Sequence, residues 1–208
     1  NGTGGLGFKP IGGQGKEKLI DNYEVKGSVL ASQEKGESRL LYATAKLSRP
    51  VHISGTPRIR IKVASSQPAA NLSVWLVSLP WTKGGQTNDN LISRGWADPQ
   101  NHESIRESKP LDPGKFYELD FDFQPDDQVI PAGQRIGLMV FSSDKDFTLW
   151  PKPGTELTVD LDATSVELPV VGGSKAFRRA TRPKRRRLSA PGWPIYKLPS
   201  PGEGSGSF

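Results

Sequence analysis

Apolar and polar positions alternate with period two along several short runs of this chain. In "RIRIKVA" (58–64), Ile59, Ile61 and Val63 fall on one face, with Arg58, Arg60 and Lys62 on the other. In "FYELDFDF" (116–123), Leu119, Phe121 and Phe123 share a side while Asp120 and Asp122 point away. The runs "RLLYATAKL" (39–47), "NLSVWLVSL" (71–79), "RIGLMVF" (135–141) and "ELTVDL" (156–161) are rich in β-branched and aromatic residues. One apolar and one wet face per strand is the pattern of antiparallel sheets packed on each other. Pro and Gly stand between the runs, in "SGTP" (54–57), "SSQPAAN" (65–71), "LDPG" (111–114), "PAGQ" (131–134) and "PKPG" (151–154), where turns need a fixed or positive φ. This punctuation predicts an all-β protein, a β-sandwich or jelly roll rather than βαβ units. Residues 16–24 and 174–182 are the only helix-like stretches.

The ends of the chain differ from its middle. Residues 1–19 are Gly-rich and read as a linker, and residues 20–173 hold the strand runs. From Ser174 onward five Pro, a run of Arg and a Gly/Ser ending predict a disordered tail.

Composition sharpens this. The 208 residues suit one domain, and 34% apolar residues with 23 Gly and 18 Pro favour short strands and turns. The net charge of +6 belongs to the end of the chain. Residues 174–208 carry nine Lys/Arg against one acid, while residues 1–173 carry 19 bases against 21 acids, or −2. The acidic body weighs against nucleic acid as a partner. Cysteine is absent, which excludes disulfides and thiolate metal sites. No apolar run is long enough for a membrane-spanning helix. The chain starts at Asn1 without a basic-then-apolar leader, as expected of a fragment or processed product. Two sequons, "NGT" and "NLS", are compatible with secretion.

Catalytic chemistry is hard to place. The strained Gly-x-Ser-x-Gly elbow of serine hydrolases does not occur. The two histidines are His52, inside the strand-like "PVHISG", and His102, in "DPQNHES". Neither has an activated nucleophile beside it in sequence. Two histidines without thiols make a poor transition-metal set, and no cofactor is expected. Asp98, Asp126, Asp127, Asp144 and Asp146 could offer hard oxygens to calcium, but in no known loop spacing. The basic string "RRATRPKRRR" (178–187) reads as a polyanion tether, a nuclear-localisation-like string or a bystander tail. It carries no interleaved aromatics.

Several motifs in order make the chain resemble one family. They are Tyr42 and Thr44 ahead of the "SGTP" turn, "NLSVWLV", "RGWAD" with Asn101, "LDPGKFYEL", "IPAGQRIGLMVFSSD", "PGTELTVDL" and "LPVVGG". Together they are similar to the C-terminal domain of the X-Pro dipeptidyl-peptidases and of the related cocaine-esterase and acylase enzymes, over residues 20–173. The resemblance implies a jelly-roll sandwich of galactose-binding type, packed against a preceding α/β-hydrolase domain that carries a Ser–Asp–His triad. It further implies a parent exopeptidase that removes X-Pro dipeptides from peptides or cleaves related esters and amides. No triad residue maps onto this chain, which is therefore expected to be inactive alone.

One stretch fits a bracing role. Trp96 offers a large apolar surface, and Arg94, Asp98, Asn101 and His102 surround it with hydrogen-bonding groups, which suits an interface anchored by an aromatic. The competing reading folds this loop back on its own sandwich, with Trp96 in the core. A second function class remains open: a freestanding carbohydrate- or peptide-binding module stacking ligands on Trp81, Trp96 or Trp150.

Overall fold

In the computed structural model, which describes residues 2–9, 11–82 and 84–182, the alternating runs pair as eleven strands. They are β1 (Thr3–Gly5), β2 (Lys16–Ile20), β3 (Arg39–Ala43), β4 (Val51–Gly55), β5 (Arg58–Ser65), β6 (Leu72–Leu79), β7 (Leu91–Ala97), β8 (Phe116–Asp122), β9 (Asp126–Ile130), β10 (Arg135–Phe141) and β11 (Glu156–Glu167). One sheet has the order β1-β3-β10-β6-β7, a second β2-β11-β5-β8, and β4 pairs with β9. Among the described residues only β1 on β3 is parallel. Sheet neighbours come from distant parts of the sequence, as in a jelly roll.

The period-two pattern explains the core. Ile59, Ile61 and Val63 of β5 face Leu72, Val74 and Leu76 of β6 in one apolar cluster, joined by Leu138, Val140 and Val159. All are at most 2% exposed, and each such burial contributes about 1.5–3 kcal/mol. Leu119 and Phe123 enter the same layer, while Asp120 and Arg58 pair across the wet face at 2.6 Å.

Both ends of the chain are more structured than their composition predicts. Within the expected linker, the glycines of β1 add a parallel edge to β3, and Leu19 of β2 is 1% exposed. The fully buried Arg39 ties this region together. Its guanidinium donates to the carbonyls of Leu30, Gly2 and Gln33. Residues 16–24 are not helical: Lys16–Ile20 pair with β11. At the other end a helix, α2 (Gly173–Thr181), forms where 174–182 looked helix-like. It docks on the sandwich rather than trailing from it. Ala180 is 2% exposed, and the Ser48 N–H and hydroxyl both donate to the Ala180 carbonyl, at 2.7 and 2.9 Å. The disorder expected beyond residue 182 lies outside the described residues.

Candidate docking site

Strand β6 is buried along its whole length. Its inward residues Leu72, Val74 and Leu76 meet the second sheet, yet Trp75, Val77 and Leu79 on the opposite face are buried too. With Leu41 and Ala43 of β3 and Met139 and Phe141 of β10 they form a separate apolar cluster on the outside of the five-stranded sheet. Part of its cover is a six-residue helix, α1 (Gly27–Ser32), which sets Leu30 and Ala31 on this face. Gly27 is required there, since a Cβ at that position would lie 2.5 Å from the Trp75 ring.

The rest of the cover is a polar knot around Asp144. This residue follows β10 and is 1% exposed. One of its oxygens, Oδ2, accepts both the Trp75 indole N–H at 2.9 Å and the Trp96 indole N–H at 3.1 Å. Strand β7 supplies Trp96 through its register on β6, where Trp75 faces Arg94 and Ser73 faces Trp96. The Arg94 guanidinium carbon lies 4.9 Å from the Trp75 ring centroid and 4.6 Å from that of Phe147, within cation–π range. Its Nε is buried with no hydrogen-bond partner among the described residues. Burial pushes the Asp144 carboxyl above the usual carboxylate range, against the opposing pull of the two indole donors and the Arg94 charge.

The knot rigidifies the loop that follows. The Asp144 carbonyl accepts from the N–H groups of Phe147 and Thr148, and the Asp144 N–H donates to the Thr148 hydroxyl at 3.0 Å. Beneath it, Asp21 accepts from the Ser143 N–H and hydroxyl, and the Asn71 side-chain amide reaches the Leu149 carbonyl. On this pinned loop Phe147 is 55%, Leu149 89% and Trp150 58% exposed. Trp150 stacks on Tyr23 with ring centroids 5.1 Å apart, and Phe147 lies 5.3 Å from the Trp96 ring. Exposed apolar groups held on one loop make it a candidate interaction surface.

The residues expected to act together divide into two places. Arg94 and Trp96 lie in the knot, on a strand rather than a loop. Asp98 caps the short helical turn Pro99–Asn101, accepting from the Gln100 N–H at 2.9 Å, and Asn101 sits within that turn. His102 turns toward β8, with its ring 4.3 Å from that of Tyr117 and its Nδ1 3.1 Å from the Pro99 carbonyl. The other histidine, His52, pairs with Asp127 on the exposed face of β4 and β9. The carboxylates weighed for calcium are drawn apart: Asp144 to the indoles, Asp127 to His52, and Asp146 to Lys26 at 3.6 Å. Among the described residues no three His, Asp or Glu side chains converge on a point. Sequence reasoning missed Trp75, Asp144, Phe147 and Leu149 as members of one site. Asp144 was named from the sequence only as a possible oxygen donor to calcium.

The chain is similar to known proteins of one family. Residues 8–186 match the family described as X-Pro dipeptidyl-peptidase C-terminal non-catalytic domain. A Rhodopirellula baltica protein named "Putative Xaa-Pro dipeptidyl-peptidase" is 62% identical over 160 residues, covering 76% of this chain and 26% of that protein. An Xaa-Pro dipeptidyl-peptidase of Lactobacillus delbrueckii subsp. lactis is 27% identical over 81% of this chain and 25% of its own length. The chain thus spans about a quarter of the length of these curated relatives. Among solved structures, an aminopeptidase from a marine sediment Thaumarchaeota archaeon superposes with a TM-score of 0.64 at 19% identity, over 81% of this chain and 35% of that one. It shares the fold.

Proposed function

This chain belongs to the family of X-Pro dipeptidyl-peptidase C-terminal non-catalytic domains, and on that premise we propose that it braces the α/β-hydrolase domain of a serine exopeptidase acting on X-Pro peptides or related esters and amides. The outer apolar face of the five-stranded sheet supports this reading, and the observation that carries it is the pinned loop presenting Leu149 and Trp150 to solvent. A sandwich needs only one apolar face per sheet to build its core. The second apolar face is covered by α1 and the Asp144 knot, and it is the exposed aromatic rim of that cover that suits a protein partner. The Arg94, Trp96 and Asp144 knot then serves as the frame that holds the contact loop, with Asp98, Asn101 and His102 shaping the adjacent turn.

A freestanding sugar- or peptide-binding role is less well served. The Trp150 ring is already stacked on Tyr23, and the Trp96 ring is flanked by Phe147. The decisive experiment mixes this chain with the remainder of the Rhodopirellula baltica relative, produced without its matching segment. The brace reading expects a one-to-one complex with activity on an X-Pro nitroanilide, and no turnover by this chain alone. Turnover by this chain alone, or failure of any complex to form, would overturn it.

A further inference from the structure

Helix α2 has two faces with different fates. Ala176, Phe177, Ala180 and Thr181 turn toward the sandwich, where Phe177 packs on the core and meets Phe8 with ring centroids 5.1 Å apart. Lys175, Arg178, Arg179 and Arg182, at positions i, i+3, i+4 and i+7, are all exposed. Within the helix this spacing puts Lys175, Arg178 and Arg179 on one face, and Arg182 continues this stripe of charge from the C-cap, where the backbone turns extended. None of the four has a carboxylate partner among the described residues. Arg178 instead lies over the Phe8 ring, 5.1 Å from its centroid, which sets the position of its guanidinium without neutralising it. The acidic body, which weighed against a polyanion partner at the level of net charge, does not pair with this stripe.

We infer that the outer face of α2 is a docking surface for the phosphate backbone of nucleic acid, bound without base readout. Three observations select this partner. Three of the four cations are arginines, whose planar guanidinium engages phosphate oxygens in pairs. The helix offers no outward aromatic to stack on bases, because Phe177 is turned inward, so contact is confined to the backbone. Its apolar face is also consumed by the sandwich, so anchoring to lipid would lack the apolar half of the usual interfacial helix, and the half-exposed Phe8 beside it is capped by Arg178. A duplex, with one charge per about 1.7 Å of axis, presents several phosphates within the length of the stripe. In sequence the stripe runs on into Lys184, Arg185, Arg186 and Arg187, of the same sign.

The test is fluorescence anisotropy of a labelled 30-base-pair duplex titrated with the full chain at increasing NaCl. The comparison variant carries Lys175→Gln, Arg178→Gln, Arg179→Gln and Arg182→Gln, all helix-compatible. A control variant carries Lys35→Gln, Arg106→Gln, Lys109→Gln and Lys152→Gln, which removes the same charge elsewhere on the surface. Each phosphate contact contributes about 0.9 to the slope of log Kd against log salt. Loss of the stripe should therefore flatten that slope by about 3–4, with the control little changed and two unrelated duplex sequences bound alike. Circular dichroism and melting of both variants establish that they are folded. Equal flattening in both variants would reduce the effect to net charge and overturn the proposal. So would an unchanged slope in the stripe variant, or stripe-dependent binding to phosphatidylserine vesicles that exceeds binding to duplex at the same salt.

Discussion

The two sheets of this sandwich share one core but show different outer faces. Outside the four-stranded sheet stand Arg58, Arg60, Lys62, Asp120, Asp122 and Asp160, paired at 2.6 to 3.9 Å and largely exposed. Outside the five-stranded sheet stand Leu41, Trp75, Val77, Leu79, Met139 and Phe141, all buried. The first face is finished, since its groups are satisfied by each other and by water. The second is finished only where α1 and the Asp144 knot cover it, and the cover itself ends in exposed Leu149 and Trp150. A single fold thus carries one charged face open to solvent and one apolar face covered by its own chain, with an exposed aromatic rim.

Substitutions can break that contrast, and the largest effect falls at the centre of the apolar face. Trp75→Ala should cost about 3–5 kcal/mol, as for a fully enclosed aromatic, measured by urea denaturation with an unchanged slope. Trp96→Ala, on the same face but half-buried, should cost clearly less. Equal losses at the two positions would mean that Trp96 is as much core as Trp75.

The Asp144 knot comes next. Asp144→Ala strands a buried indole N–H on Trp75 and loosens the loop, for an expected loss of about 2–4 kcal/mol. Asp144→Asn keeps an oxygen that can accept both indoles, so it should cost less. The two should also differ in pH dependence. Because burial raises the folded-state pKa of Asp144 above its unfolded value, its contribution is full below the unfolded pKa and is lost as pH rises through the folded one. The stability of Asp144→Asn relative to the parent chain should therefore increase from about pH 4 to about pH 7. A constant difference across that range would show that Asp144 is not held above its ordinary pKa.

The smallest effect belongs to the wet face. Arg58→Ala with Asp120→Ala removes the central exposed pair of the four-stranded sheet and should shift the denaturation midpoint too little to resolve, as expected of ion pairs open to solvent. A loss comparable to that of Asp144→Ala would erase the distinction between the faces.

How much of this was legible in the sequence depended on whether one strand could be read alone. β5 and β8 announced themselves because their alternation is complete, from Ile59 to Val63 and from Leu119 to Phe123. β7 did not. "LISRGWA" places Arg94 and Trp96 on the outer face, and the register shifts between Leu76 and Val77 of its partner, so no clean alternation survives and the stretch resembled a loop. β1 consists of Thr and two Gly, which carry no face at all, and it is held by pairing with β3 and by Arg39 gripping the Gly2 carbonyl. "KEKLI" has the composition of a helix, and pairing with β11 overrode that weak preference. Arg94 and Trp96 stood out in the sequence by their chemistry, but Asp144, which the fold brings to them, is 48 residues from Trp96 in sequence. A register across three strands joins them. The family motifs, by contrast, were readable in order, because each is local.

The central claim is that the loop after Asp144 is the contact surface, and one measurement addresses it most directly. Leu149→Ser with Trp150→Ala removes exposed apolar surface without opening the core. Calorimetric titration of this variant against the catalytic remainder of the Rhodopirellula baltica relative, beside a denaturant melt of the variant alone, separates binding from folding. The account predicts a melt within about 1 kcal/mol of the parent chain and binding at least about 30-fold weaker, as when an aromatic anchor is lost from an interface. Unchanged binding by a stably folded variant would contradict it.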